Sequence, residues 1–203
     1  LCIASSSQRN RGHVSSANGD HHNTRRRYFM TTSHQETPQI VLRAIEPEDL
    51  DALYMIENNM ELWNVGTTNV PYSRYMLHEY VAESAGDIYT DKQVRLMIEN
   101  DRKEVVGIVD IVDFDPRHRR AEVGIVIQNR YRRQGYAKHA LAKAIDYARK
   151  VLHLHQLYAV VEQENTHSVH LFSQLGFQPN TPLKHWLYDG REYHDAIVMQ
   201  LFL

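Results

Sequence analysis

Apolar residues fall without period through positions 1 to about 38, a stretch rich in Ser, Asn, His and Arg, and become regular only from Gln39. Ile40, Leu42 and Ala44 alternate with Val41, Arg43 and Ile45, which predicts a first strand ending at Pro47. Pro47-Glu48-Asp49-Leu50 then predicts a helix reaching about Asn58, because proline and acids favour a first turn. A second helix is expected over residues 73–86, with Ser73 as N-cap and Gly86 as stop. Val94 to Glu99 and Val105 to Phe114 read as a hairpin across the turn-like Asn100-Asp101-Arg102-Lys103. Glu122 to Gln128 is a further β run. Gly135 to Leu152 has Ala137, Leu141, Ala144, Ile145 and Ala148 on one helical face. Gln156 to Val161 reads as a strand and Thr166 to Leu175 as a short helix stopped by Gly176. Two last β runs, Trp186 to Tyr188 and Ala196 to Phe202, flank Asp189-Gly190. This order predicts an α/β or α+β domain with one mixed, mostly antiparallel sheet flanked by helices.

Composition narrows the class. The 203 residues suit one domain, and 42% apolar with 24% charged residues supports a core without general disorder. The expected organisation is a disordered polar leader over residues 1–38 and a folded domain over 39–203. The chain starts at Leu1, and Met30 directly precedes the patterned region, so residues 1–29 read as vector-derived or as translated from an upstream start. No run approaches the roughly 20 apolar residues of a spanning helix, so no membrane role is expected. The lone Cys2 rules out an intrachain disulfide framework and points to a reducing cytoplasm. His13, His21, His22 and His34 lack a carboxylate or cysteine framework, and no metal is expected. Of 23 basic and 25 acidic residues, five arginines and Asp20 lie in residues 1–29, leaving 18 against 24, or −6, on the body. An acidic body argues against nucleic-acid binding, which depends on cationic side chains.

The chemistry concentrates in residues 122–137, where a strand enters a basic, glycine-containing turn that opens an amphipathic helix. First-turn amides have no intrahelical acceptor, and the helix dipole adds positive charge there. Gly135 permits close backbone approach, Ala137 leaves the first turn uncrowded, and Arg132 and Arg133 offer countercharge to phosphate oxygens. An ordinary capped helix with solvated arginines is the other reading of the same residues.

Arg132-x-x-Gly135-x-Ala137 resembles the Arg/Gln-x-x-Gly-x-Gly/Ala motif of the Gcn5-related N-acetyltransferases, the GNAT superfamily. His118 to Glu122, Tyr131 to Ala137, Val151 to Leu154 with Leu157-Tyr158, Glu164-Asn165 and Leu175-Gly176-Phe177 are similar to the bacterial spermidine N-acetyltransferases. The resemblance covers roughly Val41 to Leu203, densely from Val105 and loosely between Asn58 and Lys92. It implies a GNAT fold, acetyl-CoA as co-substrate and a homo-oligomer. It places the pantetheine along Ile125, Val126 and Ile127, and the pyrophosphate on the amides of Arg132, Arg133, Gln134, Gly135, Tyr136 and Ala137. Asn165 would bond the pantetheine, with Ser168 on the helix that flanks the thioester.

Aminolysis of a thioester needs a neutral amine, and an alkylamine with a pKa near about 10.4 must first lose a proton. Glu122 matches a position where GNAT relatives often place a carboxylate, as base or amine orienter; a salt bridge to Arg119 or Arg120 is the other reading. The backbone N–H near Val126 is a candidate oxyanion donor. The spermidine enzymes place a tyrosine acid where this chain has Phe172, which has no proton to give. A water, Ser173, Tyr158 or His170 are the substitutes. For a cationic acceptor, a polyamine or diamine such as spermidine, the expected carboxylates and rings are Glu57, Glu61, Trp63, Asp110, Asp113, Glu122, Tyr188 and Tyr193. A protein N-terminal acetyltransferase and a catalytically weak acetyl-CoA sensor remain as rival readings.

Overall fold

Seven strands form one sheet in the order β1-β2-β3-β4-β5-β7-β6, seen in a computed structural model that describes residues 38–59, 71–83 and 86–203. Apart from Pro38, the expected leader lies outside the described residues. So do Glu61 and Trp63. The strands are β1 (Ile40–Arg43), β2 (Val94–Asn100), β3 (Val105–Asp115), β4 (Arg120–Ile127), β5 (Gln156–Glu162), β6 (Gln178–Tyr188) and β7 (Tyr193–Phe202). The helices are α1 (Leu50–Glu57), after a 3-10 turn over Pro47–Asp49, α2 (Arg74–Glu83), a short α3 (Ile88–Asp91), α4 (Tyr136–Lys150) and α5 (Thr166–Gln174). All neighbours pair antiparallel except β4 and β5, which are parallel and joined through α4. A parallel pair needs a crossover of that kind. No helix among the described residues is long and apolar enough to cross a membrane.

The alternation of each strand divides the apolar residues between two faces. One face buries Val109, Ile111, Val123, Leu157, Ala159 and Val161 against Ala140, Leu141, Ala144, Ile145 and Ala148 of α4 and Phe172 of α5. Three alanines in the α4 stripe let the helix approach the sheet closely. The other face carries a small cluster, Ile56 of α1 with Met97, Ile108 and Val126. The expected Ser73 cap is present: its Oγ accepts from the Met76 amide at 3.1 Å.

Two elements differ from the sequence reading. The short helix α3 was not anticipated; Asp87 starts it by accepting from the Tyr89 amide at 3.1 Å. The strand expected over Trp186 to Tyr188 starts eight residues earlier, at Gln178. Pro179 and Pro182 lie in the added stretch; β6 is the sheet edge, and its pairing with β7 is irregular between 179 and 182 and between 183 and 187. An edge strand tolerates the missing amide of proline.

Ion clusters tie distant elements to the sheet. Arg43 of β1 donates to both oxygens of Asp49, at 2.6 and 2.9 Å, and to Glu99 of β2 at 2.6 Å. Burial would raise the Asp49 carboxyl, but the Arg43 guanidinium and the Glu46 amide hold it below its ordinary range. Arg95 of β2 is gripped by Asp110 of β3, at 2.7 and 2.9 Å, and by Glu57 of α1. Burial disfavours its charge, yet the two carboxylates raise its pKa. The side chains of Arg95, Glu57 and Asp110 are 12%, 8% and 4% exposed. Removing the cation therefore strands two carboxylates out of water. Arg95→Leu should lower the unfolding free energy by about 3 kcal/mol, read by urea denaturation; a loss below about 1 kcal/mol would refute the arrangement.

The β6–β7 hairpin carries a titratable clasp. His194 lies between Asp189, 3.1 Å from Nε2, and Glu162 at the end of β5, 3.4 Å from Nδ1. The hydrogen bond to Asp189 raises the imidazole pKa, with Glu162 and Glu192 adding to it against the effect of burial. A raised folded-state pKa gives stability that is present below about pH 6.5 and lost as pH rises through the raised value. The His194 ring, followed by NMR, should titrate above 6.5, and His194→Gln should remove that part of the pH dependence of stability. A midpoint at or below 6.5 contradicts the clasp.

Candidate active site

β4 and β5 pair only from Arg120 opposite Gln156 to Glu122 opposite Tyr158. Beyond that rung β4 continues to Ile127 along β3, and β5 continues to Glu162 along β7. The two strands diverge, and no strand among the described residues covers the β5-facing edge of Gly124 to Ile127. Main-chain groups on such an edge seek partners, and an extended ligand with amides can supply them. Close packing fixes the other edge: a Cβ on Gly107 would lie 2.1 Å from the Val126 carbonyl oxygen, so only glycine fits there.

The far end of this edge runs into the helix start. A 3-10 turn over Asn129–Tyr131 follows β4, and Arg132 Nε donates to the Ile127 carbonyl at 3.1 Å, holding the turn against the strand. Arg133 and Gly135 adopt positive φ, 61° and 87°. The left-handed region suits glycine and costs the arginine strain. The first α4 amide with a backbone acceptor is His139, bonded to the Gly135 carbonyl at 3.3 Å. Among the described residues, no backbone acceptor meets the amides of residues 133–138, and α4 has no side-chain N-cap bond. These amides form an anion cradle at the positive end of a 15-residue helix. Arg133 is exposed beside it, and Gln134 is occupied with the Arg130 carbonyl at 3.0 Å. Tyr136 and Ala137 are half-buried at the start of α4.

The near end holds the candidate chemistry. Strand alternation puts Glu122, Gly124 and Val126 of β4 on the α1 face, and Ile125 and Ile127 on the α4 face. Glu122 is half-buried. The two arginines weighed as its partners are directed elsewhere: Arg119 to the His153 carbonyl at 2.8 Å, Arg120 to Asp115 at 3.4 Å. Asp110 shares the Glu122 face, and Asp110 and Glu57 are both committed to Arg95, so that cluster offers one net negative charge instead of two. Tyr80 of α2 lies 5.7 Å from the Arg95 guanidinium. Asp113 is apart from this group, exposed on an irregularity of β3 with φ 51°. Tyr188 and Tyr193 lie against each other at the hairpin tip, ring centroids 4.9 Å apart with planes tilted by 40°, and both are exposed.

On α5, Asn165 is buried and its Oδ1 caps the helix, accepting from the Ser168 amide at 3.0 Å. Ser168 is half-buried one turn before Phe172. Phe172 is buried, packed edge-on against Phe177 at 5.0 Å. Ser173 is exposed.

Residues 39–178 match the acetyltransferase (GNAT) domain family. The chain belongs to that family. Spermidine N(1)-acetyltransferase of Escherichia coli (strain K12) is 32% identical over 166 residues, covering 80% of this chain and 86% of the relative. A crystal structure of spermidine N-acetyltransferase from Vibrio cholerae in complex with CoA and spermine has TM-score 0.73 and 28% identity, covering 81% of this chain and 95% of that one. The L-amino acid N-acetyltransferase AaaT of Escherichia coli is 28% identical over 165 residues, covering 79% and 96%.

This acetyltransferase also has a cavity of about 1220 Å³ that the sequence did not signal. It lies between α1, the β2–β3 turn and the end of β4, and is lined by Asp51, Tyr54, Met55, Glu104, Val126 and Gln128 among others. It borders the β4 strand from the α1 face, and its lining mixes the acids Glu48, Asp49, Asp51 and Glu104 with Arg43, Lys103 and Arg130. Among the described residues, one group has metal-ligand spacing, Asp189, Glu192 and His194. Its members are engaged within the hairpin, where Asp189 also accepts from the Arg191 and Glu192 amides at 2.7 and 2.8 Å.

The cradle is testable alone. Gly135→Glu places a strained backbone and a negative charge at the amides, and should raise the acetyl-CoA dissociation constant at least roughly tenfold. Calorimetric titration checks this; unchanged affinity refutes the placement.

Proposed function

We propose that the chain transfers an acetyl group from acetyl-CoA to a primary amine of a polyamine or diamine, with spermidine the leading acceptor. The observation that carries this reading is the divergence of β4 and β5 after Glu122 and Tyr158, which opens the Gly124 to Ile127 edge and leads to six amides without backbone acceptors among the described residues. Pantetheine amides pair with the strand edge, and the pyrophosphate takes the cradle with Arg132 and Arg133 beside it. Five residues separate Glu122 from Ile127, about 16 Å of strand, the reach of an extended pantetheine arm. The thioester then lies where β4 and β5 meet, beside Glu122, about 13 Å along the strand from Val126, so the Val126 backbone pairs with the pantetheine and not with the oxyanion. Glu122 accepts a proton from the incoming ammonium or orients it.

The acceptor assignment is supported by the spermidine-acetylating relatives and by the acids on the α1 face. A homo-oligomer accompanies it, since a Vibrio cholerae relative is dodecameric. Its place is the cytoplasm, where acetyl-CoA is used. Phe172 favours a second reading, an acetyl-CoA-binding protein of low turnover. CoA release should be followed with polyamines, diamines, amino acids and peptides bearing free α-amino groups. Fastest release with spermidine or a diamine is expected. Fastest release with peptides or amino acids overturns the acceptor, and binding of acetyl-CoA without release from any amine establishes the second reading.

A further inference from the structure

We infer that Tyr158 is the group that protonates the departing CoA sulfur in this chain, working with Glu122 as a two-residue proton relay. The inference rests on the proposed acetyl transfer. Phe172 is buried and has no exchangeable proton. Ser173 and His170 are both exposed on α5, and the His170 ring engages the Gln174 amide at 2.7 Å. Ser168 is half-buried on the same helix, but an aliphatic hydroxyl is far too weak an acid to match a thiol. Tyr158 is half-buried on β5 and carries a phenolic proton.

Tyr158 stands opposite Glu122 on the last rung before β4 and β5 part. Residues opposite each other on adjacent strands place their side chains on the same face, about 5 Å apart. The β5 alternation agrees: Leu157, Ala159 and Val161 are buried in the α4-side core, while Tyr158 is half-buried on the opposite face with Glu122. The phenol therefore lies at the inner end of the opening, where the thioester end of an arm anchored at residues 133–138 arrives. A phenol with an ordinary pKa near about 10 is matched to both an alkylamine and a thiol.

The step balances. The incoming ammonium first gives one proton through Glu122 to bulk water, and the neutral nitrogen attacks the acetyl carbon; the second proton, now on the nitrogen of the tetrahedral intermediate, passes to the Glu122 carboxylate. The C–S bond breaks, the thiolate takes the phenolic proton of Tyr158, and the phenolate recovers a proton from Glu122. The net change is ammonium plus thioester to amide, thiol and one proton released to water, with both side chains returned to their starting states.

Tyr158→Phe removes one hydroxyl and should keep the fold. It should lower kcat by roughly 30-fold or more, within the usual range for general acid catalysis, with the acetyl-CoA dissociation constant changed less than about twofold. Phe172→Tyr in that background should restore part of the loss, since it returns a phenol to the helix. A kcat within threefold of the parent overturns the proposal. A readout free of turnover is the thiolate ultraviolet absorbance of bound CoA. A phenol that donates to sulfur stabilises the thiolate, so the thiol in the parent complex should titrate about one pH unit or more below that in the Tyr158→Phe complex. Coincident titrations overturn the proposal even if no acceptor amine is found, which separates its failure from failure of the acetyl-transfer reading.

Discussion

Every buried peptide group must find a hydrogen-bond partner, and the site follows from one place where the sheet does not provide them. β4 and β5 share three rungs and separate. Their parallel pairing requires the α4 crossover, and the crossover brings the amide end of α4 to the open end of the same strand. An exposed strand edge and a helix N-terminus, each a weak binding feature alone, thus form one continuous track. Gly107 keeps β3 tight against β4, and the Arg132 bond to Ile127 holds the turn between strand and helix. A chain carrying amides and a terminal diphosphate satisfies this track along its length.

Charge on the α1 face is arranged to be held as much as displayed. The body carries −6, yet Glu57, Asp110, Asp49 and Glu99 are all drawn into clusters around Arg95 and Arg43. Burying these carboxylates without cations would be prohibitive, so the arginines make a polar face foldable. Asp51 at the cavity is likewise paired with Arg74, and Glu104 accepts from Asn100. The wide difference in acceptors among relatives, spermidine in one and an amino acid in another, fits a scaffold whose coenzyme track is backbone and whose acceptor side is side chain.

Phe172 has no exchangeable proton, and its ring completes an apolar contact with Phe177 inside the α4-side core. On the opposite face, Glu122 and Tyr158 share the last rung of the β4–β5 pair. A carboxylate and a phenol at adjacent backbone positions need no helix movement to exchange a proton, because the sheet fixes their separation.

Local pattern was enough for the elements and for the unpaired helix start. Period-two and period-3.6 alternation located six of the seven strands and all the longer helices to within a few residues, and the Arg132 to Ala137 turn announced unpaired amides because helix starts always leave them. Each of these is a short-range property of the chain. The length of β6 was hidden because its prolines read as breakers unless the strand is known to be an edge. The capture of Glu57 and Asp110 by Arg95 was equally hidden, since those residues are up to 53 positions apart and come together only when α1 packs on β2 and β3. The same holds for the rung of Glu122 and Tyr158, on strands separated in sequence by the whole of α4. Sequence therefore determined which segments fold and where a helix start leaves its amides unpaired, through forces acting within a turn or two; which charges are spent on each other, and which side chains share a rung, was decided by contacts that only the assembled sheet creates.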